Sequence, residues 1–423
     1  MAAARGREVL KWVFSGQALQ LLLLTMIASG GNYAQVTLSP LQEAIRIALP
    51  LTDNQVAVIQ GPVMALPLVL GSVPLGLLID RYSRARLLFI FVLCCVVGTV
   101  MGALSANFPE LVVARLLIGT ASAAIPTAAY SLVGDIFLPT LRGKATMVLG
   151  VGQLIGPSLA FVCGGSLLVT FGSNAQAWRY AMLGLAVPLV VTAIISLAVG
   201  EPERTGDVDT NRPVMNAASE LWRYHHVVAP ILVFGAMVGV SNGAAWTWAT
   251  PMFSRRFALT PDRVGTIMAV VLFVSGIAGA VLGGLLTDFC QRTGGARRTI
   301  VIMTWLTLLG APAGLFAVAP EVISASALLL MLIAVGSVIS TMSIAVCTVV
   351  IPSHLRGLCF GIYSASASVF GVGLAPLMVS MLSEEMGGTA MLGDALSVVC
   401  VSTSIIAAVA LAFGMRSFST KVA

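Results

Sequence analysis

The sequence predicts an all-α integral membrane protein, with twelve transmembrane helices in two pseudo-symmetric bundles of six. Three observations support this prediction: the composition, the recurrence of long uncharged segments, and a short motif that occurs twice. Of the 423 residues, 58% are hydrophobic and 9% are charged, whereas soluble domains carry about 25% charged residues. A water-soluble fold could not bury so much apolar surface.

Twelve apolar segments are long enough to cross a hydrocarbon core of about 30 Å as α-helices. They lack the alternation of polar and apolar residues that marks the strands of a membrane barrel. We place these segments at residues 13–36, 54–79, 86–108, 111–134, 145–171, 178–200, 228–250, 264–287, 299–319, 322–350, 357–383 and 389–415. An even number of spans puts both termini on the same side.

The distribution of basic residues predicts which side this is. Seventeen of the 23 Lys and Arg residues lie on the side of the termini, five lie on the other side, and Arg115 lies within span four. Since basic loops stay in the cytoplasm, we expect cytoplasmic termini in a plasma or inner membrane. The same loops account for the net charge of +6 without a nucleic-acid partner.

A short motif closes an apolar segment in each half of the chain. Gly76-Leu77-Leu78-Ile79-Asp80-Arg81 is followed by Arg84, and Gly284-Leu285-Leu286-Thr287-Asp288 is followed by further arginines. The two aspartates are 208 positions apart (288 minus 80). This repeat indicates an internal duplication.

A second repeat supports the duplication. Leu138-Pro139-Thr140-Leu141-Arg142-Gly143 precedes span five, and Ile351 to Gly357 precedes span eleven with a similar pattern. The longest polar stretch lies between the sixth and seventh spans. We therefore predict a first bundle at residues 1–200, a cytoplasmic linker at 201–227 and a second bundle at 228–423.

Spans five and eleven each carry a late helix break. The breaks are predicted at Gly156-Pro157 and at Pro376, because proline removes a backbone donor and kinks a helix. Matched interruptions in corresponding spans of two halves point to a transport pathway.

These residues resemble the signature motifs of the major facilitator superfamily. The resemblance rests on the paired Gly-to-Asp strings, on Arg115 followed by Gly119, and on Gly152-Gln153-Leu154-Ile155-Gly156-Pro157. Within that superfamily, Asn32-Tyr33, the segment 115–135 and the segment 371–383 are most similar to the spinster-type and organic-anion symporter branches. The resemblance implies a secondary transporter that works by rocker-switch alternating access.

The resemblance also implies a gate at the cytoplasmic ends of the helices. Asp80 would face the start of span eleven near Arg356, and Asp288 would face the start of span five near Arg142, where helix N-termini favour an acid. The alternatives are that each acid neutralises adjacent arginines and that the glycines only let helices approach closely. The candidate gate residues are Gly76, Asp80, Arg81, Arg84, Arg142, Gly284, Asp288 and Arg356.

Arg115 is a charged side chain inside the membrane, where it is costly unless it faces a cavity or a partner. The nearest acids of span four, Glu110 and Asp135, lie five and twenty positions away. Two interpretations are open. Arg115 either orders the bundle by donating to neighbouring carbonyls, or it binds an anionic group on the substrate, since a guanidinium suits a carboxylate or phosphate.

Other polar or aromatic side chains also interrupt the apolar helices. Each needs a hydrogen-bond partner in lipid, so we expect it to face the interior, either toward a substrate or in an interhelical hydrogen bond. For Trp246 and Trp248 the alternative is an interfacial anchor. The candidate substrate-binding residues are Asn32, Tyr33, Gln35, Gln60, Arg115, Ser122, Tyr130, Gln153, Asn242, Trp246 and Tyr363.

The chain departs from the resembled families at the positions of their usual acids. Gln35 and Val36 stand where spinster-type and organic-anion carriers have an Asp-Arg pair, and Ser122 stands where spinster-type proteins have a glutamate. These neutral residues put proton coupling in doubt and leave the identity of a coupling ion open.

The sequence therefore predicts a monomeric carrier in the bilayer that moves a small organic anion or amphiphile. The alternatives are an exporter of lysolipids, sphingoid compounds or hydrophobic drugs, and a sensor or scaffold that does not transport. The acids lie at helix ends and the seven cysteines lack metal-ligand spacing. We therefore predict neither an enzyme nor a metal site nor a cofactor.

Overall fold

A computed structural model describes residues 16–172, 174–202, 220–221, 224–352 and 355–418. The described part of the first half consists of helices joined by short turns. They are α1 (Gly16–Val36), α2 (Gln42–Ala48), α3 (Asp53–Gln60), α4 (Pro62–Arg81), α5 (Arg84–Leu104), α6 (Phe108–Ile136), α7 (Pro139–Gly152), α8 (Ile155–Thr170) and α9 (Ala177–Ser196).

The second half is also helical. Its helices are α10 (His225–Phe257), α11 (Pro261–Gly310), α12 (Val322–Val350), α13 (Arg356–Ala367), α14 (Ala375–Met386) and α15 (Leu392–Phe418). A π-helical segment, Ser368–Leu374, connects α13 to α14, and a 3₁₀ segment, Ala311–Val318, follows α11.

Among the described residues, 11 helical stretches are long and apolar enough to cross a membrane. The difference from the twelve predicted spans arises at 264–287 and 299–319, which lie in one continuous stretch, Pro261–Val318. The direction of this stretch changes at Gly295, whose φ of 64° and ψ of −156° interrupt α11. Glycine reaches this conformation without steric cost, so two spans follow each other without a loop.

Contacts divide the chain into two compact units. Unit 1 comprises Met1–Leu49 and Leu70–Asp207, and unit 2 comprises Pro50–Val69 and Val208–Ala423. The boundary between Val69 and Leu70 falls inside α4, so the segment that contains α3 groups with unit 2. The division at 1–200, 201–227 and 228–423 stays a prediction.

Small residues bring the helices of unit 1 close together. A Cβ atom on Gly98 would lie 2.6 Å from Ile118 Cγ1, and one on Gly102 would lie 2.6 Å from Met182 Cε. Real Cβ atoms do not approach this closely, so α5 packs on α6 and α9 through bare backbone.

Two helix interruptions lie directly before the prolines singled out in the sequence. In unit 1, α7 ends at Gly152 and α8 begins at Ile155, so Pro157 is in the first turn of α8. In unit 2, Pro376 is in the first turn of α14, after the π-helical segment. First-turn amides have no partner within the helix, and proline therefore costs little there.

Candidate functional site

Arg115 is buried in unit 1 and joins two helices. Its side chain is 1% exposed, and Nη2 donates to the carbonyl oxygen of Gln35, 2.9 Å away, in the last turn of α1. Glu110, the nearest acid along α6, instead accepts hydrogen bonds from Ala106 N and Asn107 Nδ2. This geometry favours the interpretation that Arg115 orders the bundle through a carbonyl.

Three of the predicted site residues of unit 1 form one hydrogen-bonded cluster, which we call the α1–α6–α8 cluster. Asn32 Nδ2 donates to Gln153 Oε1 over 3.3 Å, and Gln153 Nε2 donates to the hydroxyl of Tyr130 over 2.9 Å. Gln153 lies in the turn between α7 and α8, so the helix interruption places its amide between the other two side chains. The cluster offers amide and hydroxyl groups to a neutral or anionic partner.

The neighbours of this cluster have other partners. Tyr33 is buried, and its hydroxyl donates to the carbonyl oxygen of Leu185 over 3.0 Å. Ser122 Oγ donates to the carbonyl oxygen of Gly119 in its own helix. Both hydroxyl groups thus have a partner within unit 1, and a role of Tyr33 and Ser122 in substrate binding stays a prediction.

The candidates of unit 2 are packed against helix backbones. A Cβ atom on Gly336 would lie 2.4 Å from Asn242 Nδ2, so α10 meets α12 through this amide. The Tyr363 side chain covers Gly235 in the same way, with 2.4 Å from a Cβ atom to Tyr363 Cε2. Gln60 is buried at the end of α3.

The two tryptophans of α10 differ. Trp248 is fully buried, and its Nε1 donates to the carbonyl oxygen of Pro376 over 3.0 Å. This burial corrects the alternative of an interfacial anchor for Trp248. Trp246 is partly exposed, and its role in substrate binding stays a prediction.

Arg84, a predicted gate residue, is the centre of a charged cluster in unit 1. It is 4% exposed, and it donates to Asp135 at the end of α6 and, through Nε, to Glu201 Oε1 over 3.1 Å. Glu201 also accepts hydrogen bonds from Ser83 Oγ and Ala85 N, each over 2.8 Å. The cluster ties the start of α5 to the ends of α6 and α9.

Glu201 lies just beyond the last span of unit 1. Its partial burial opposes ionisation, but the hydrogen bonds from Ala85 N, Ser83 and Arg84 outweigh it and lower the pKa of Glu201 below its usual range. A carboxylate is therefore the normal state of this group near neutral pH.

Arg142 and Arg356 make the same contact in their respective units. Arg142 Nε donates to the carbonyl oxygen of Phe137 over 2.9 Å, and Arg356 Nε donates to that of Ile351 over 3.0 Å. Phe137 and Ile351 are the C-cap residues of α6 and α12. Each arginine thus satisfies a free carbonyl at the end of the preceding helix, and the second sequence repeat corresponds to one repeated structural device.

The remaining gate residues are Gly76, Asp80, Arg81, Gly284 and Asp288. Arg81 and Asp288 are exposed, and the side chain of Asp80 lies outside the described part of the structure. A Cβ atom on Gly76 or Gly284 would meet no described atom within 4 Å, whereas one on Gly283 would lie 2.8 Å from Thr341 Cβ. Close helix packing is therefore the role of Gly283 and not of Gly76 or Gly284. The contacts proposed for Asp80 and Asp288 stay predictions.

One charged site in unit 2 was missed by the sequence analysis. Arg255, at the end of α10, donates from Nη1 and Nη2 to the two carboxylate oxygens of Asp53, at 2.7 and 2.8 Å. Asn54 Nδ2 donates to Glu384 Oε2 of α14 over 2.6 Å. We call these four residues the α3 clamp. The ion pair joins residues that are 202 positions apart. A local sequence pattern does not predict such a pair.

No group of three His, Cys, Asp or Glu side chains that could hold a metal ion occurs in the described ranges. The helices, their apolar lengths and the buried polar contacts are those of a multi-pass membrane protein. Residues 21–376 match the family described as Major Facilitator Superfamily. The chain belongs to this family of membrane transporters, and the predicted fold class is confirmed.

Curated relatives are distant. The chain is 23% identical over 265 residues to a "Probable 4-methylmuconolactone transporter" of Cupriavidus pinatubonensis, a match of 62% of this chain and 60% of the relative. It is 21% identical over 225 residues to "Protein spinster" of Drosophila melanogaster, a match of 51% of this chain and 36% of the relative. It is 31% identical over 160 residues to an "MFS-type transporter" of Aspergillus terreus, covering 38% and 27%. The chain thus spans less than two thirds of the length of these relatives.

Solved structures agree over nearly the whole chain. A bacterial homologue of the human lysosomal transporter Spinster, in an inward-facing and unoccupied conformation, has a TM-score of 0.79 at 19% identity, covering 96% of this chain and 97% of the other. The nucleoside transporter NupG has a TM-score of 0.74 at 13% identity, covering 94% and 99%. At these identities the likeness establishes the fold, and together with the spinster relative it confirms the predicted spinster-like resemblance.

Proposed function

We propose that this chain is a secondary carrier that moves a small organic anion or amphiphile by rocker-switch alternating access. The observation that carries the proposal is the α1–α6–α8 cluster, in which Asn32, Tyr130 and Gln153 converge at a helix interruption. Such interruptions free backbone and side-chain groups for a solute at membrane depth. One relative and one neighbour, the probable 4-methylmuconolactone transporter and the nucleoside transporter NupG, are named for organic compounds, which supports the substrate class.

Arg115 contributes as a positioning residue in this proposal. Its bond to the carbonyl of Gln35 fixes the turn of α1 that follows Asn32, and its charge raises the local potential for an anion. Arg115→Ala removes both effects, whereas Arg115→Lys retains the charge and one donor. We expect Arg115→Ala to abolish anion transport and to spare export of neutral compounds. Anion transport by Arg115→Lys should lie between that of the wild type and that of Arg115→Ala.

Proton coupling through a central carboxylate has little support. Among the acids whose side chains are described, Asp53 is the buried one, and it is engaged with Arg255 at the start of α3. We therefore propose that transport follows the membrane potential and the solute gradient. In proteoliposomes, an imposed potential should change the uptake of an anion, and a pH gradient imposed at zero potential should leave it unchanged. Uptake driven by the pH gradient alone would contradict this part of the proposal.

Export of lysolipids, sphingoid compounds or hydrophobic drugs is the second candidate. Two distant relatives, one named as an antiporter and one named as an efflux pump, favour it. The assay is the same proteoliposome flux with a panel of carboxylates, 4-methylmuconolactone, lysophosphatidylcholine, sphingosine and cationic dyes. Flux of anions that Arg115→Ala leaves unchanged would favour the second candidate. Flux at the level of empty vesicles for every compound would favour a sensor or scaffold.

A further inference from the structure

Unit 1 has an apolar groove on its surface that the transport proposal does not use. Its volume is about 670 Å³, and it is lined by residues of α1, the α7–α8 junction and α9. This volume is within the range of about 300–1,000 Å³ that is usual for ligand sites.

The groove follows from the helix interruption in span five. A Cβ atom on Gly152 would lie 2.0 Å from Thr25 Cγ2, and one on Gly156 would lie 2.0 Å from the carbonyl oxygen of Ser29. The junction therefore lies directly on the backbone of α1. Gly30 makes a similar approach to Thr192 of α9, with 2.7 Å from a Cβ atom to Thr192 Cγ2. These small residues form a floor, and larger side chains on both sides form the walls.

The lining offers hydrocarbon and very little else. None of the described residues that line the groove is charged. Of its four hydroxyl side chains, three donate within the protein: Thr25 to Leu21 O over 2.7 Å, Thr192 to Pro188 O over 2.8 Å, and Tyr33 to Leu185 O over 3.0 Å. A headgroup, a peptide or an ionised solute would lose its water in this groove without finding partners.

The rim of the groove consists of exposed apolar side chains within predicted membrane spans. All lining residues belong to stretches long and apolar enough to span the membrane. On its rim, Leu22, Ile155 and Val187 are 56%, 52% and 60% exposed. In a multi-pass membrane protein, such exposed apolar side chains contact the acyl chains of the bilayer.

We propose that this groove binds one acyl chain of a bilayer phospholipid. The site goes beyond the proposed transport function and does not depend on it. Lipid tails are as apolar as the lining, so binding comes from van der Waals packing and depends on shape. A side chain that fills the groove should therefore expel the lipid chain.

The test uses the full chain in phosphatidylcholine vesicles that contain a trace of phosphatidylcholine with a diazirine in one acyl chain. After irradiation, peptide mass spectrometry locates the adducts. We expect a higher yield of adducts at residues 22–33, 152–159 and 187–195 than on the exposed lipid face of α5, which comprises Ile90, Leu93 and Val97. Equal labelling of the groove and of that face would overturn the proposal.

Matched variants separate filling of the groove from a general effect of tryptophan. Val191 lines the groove and is 49% exposed, whereas its neighbour Val190 does not line it and is 43% exposed. Val191→Trp should lower groove adducts by about fivefold or more, as expected for a disrupted packing site, and Val190→Trp should not. If Val191→Trp fails to fold, Leu159→Trp in the groove and Val162→Trp beside it form a second pair.

Two results would assign the groove to another occupant and overturn the proposal. Displacement of the label by lysophosphatidylcholine, but not by excess unlabelled phosphatidylcholine, would identify a single-chain amphiphile. Equal labelling by a water-soluble diazirine would identify a hydrated cleft. If the wild-type chain forms the groove adducts but shows no flux above that of empty vesicles, the result counts against the transport proposal alone.

Discussion

Breaking the α3 clamp is the perturbation whose size the structure defines best. Asp53 is 5% exposed and sits at the first position of α3, where it binds both Nη atoms of Arg255. Asp53→Asn removes the carboxylate charge that Arg255 binds. Removing one partner of a buried pair costs about 3–5 kcal/mol. Because 19% of the Arg255 side chain is exposed and solvent screens part of its charge, we expect about 2–3 kcal/mol.

Hydrogen exchange reports this loss locally. The amides of α3 exchange when the segment opens, and a loss of about 2–3 kcal/mol corresponds to about 30- to 160-fold faster exchange. We expect this acceleration over residues 56–60 in Asp53→Asn and in Arg255→Gln. The double variant should be less affected than the sum of the two, since both changes break the same ion pair.

The control is an ion pair of similar composition that is more exposed. Arg46 binds Glu43 over 2.7 Å within α2, with side-chain exposures of 25% and 19%. Such a pair contributes about 0–1 kcal/mol, so Glu43→Gln should change exchange in α2 by less than about fivefold. If Asp53→Asn accelerated exchange in α3 no more than this control does in α2, the assigned role of the clamp would be wrong.

Three further outcomes follow from contacts of unit 1. Gly156→Ala places a Cβ atom 2.0 Å from Ser29 O and should destabilise the protein by about 1–3 kcal/mol. Thermal unfolding in detergent measures this loss. Gly143→Ala is the neutral control, because a Cβ atom at Gly143 meets no described atom within 4 Å. Because the pKa of Glu201 is lowered in the folded state, its stabilisation is complete above its unfolded value of about 4.3 and is lost as pH falls through the lower folded value. Glu201→Gln should therefore weaken the pH dependence of the melting temperature between about pH 5 and 3. The same pH dependence in this variant and in the wild type would contradict the cluster at Arg84. Gln153→Ala should weaken anion uptake and leave the melting temperature close to that of the wild type. A lower melting temperature together with weaker uptake would indicate a structural amide.

The sequence supports the spans and the repeat because both depend on local composition. Apolar length, the Gly-Pro interruptions and the repeated arginines can all be recognised within short windows, and the Arg142 and Arg356 contacts are bonds to a carbonyl five positions back. The continuity of α11 was not predicted, since Gly295 turns the chain by its backbone conformation alone. The alternative of close helix packing is not supported for Gly76 and Gly284, because a Cβ atom there meets no described atom within 4 Å. Their role in the gate stays a prediction.

Long-range pairs account for the rest of the difference. Asp53 and Arg255, Trp248 and Pro376, and the cluster around Arg84 join residues far apart in the sequence. None of these residues is marked by a local pattern, and only the packed helices define its partner. The grouping of Pro50–Val69 with unit 2 has the same origin, because the contacts of α3 are with distant helices.

We propose that this chain carries a solute across the membrane by exposing one site to each side in turn. The most direct measurement is uptake of a labelled organic anion into proteoliposomes that are preloaded with the same unlabelled anion or left empty. Alternating access predicts saturable uptake that the internal anion accelerates and that Arg115→Ala abolishes. Uptake equal to that of protein-free vesicles, or uptake that rises linearly with concentration and ignores the internal anion, would contradict it.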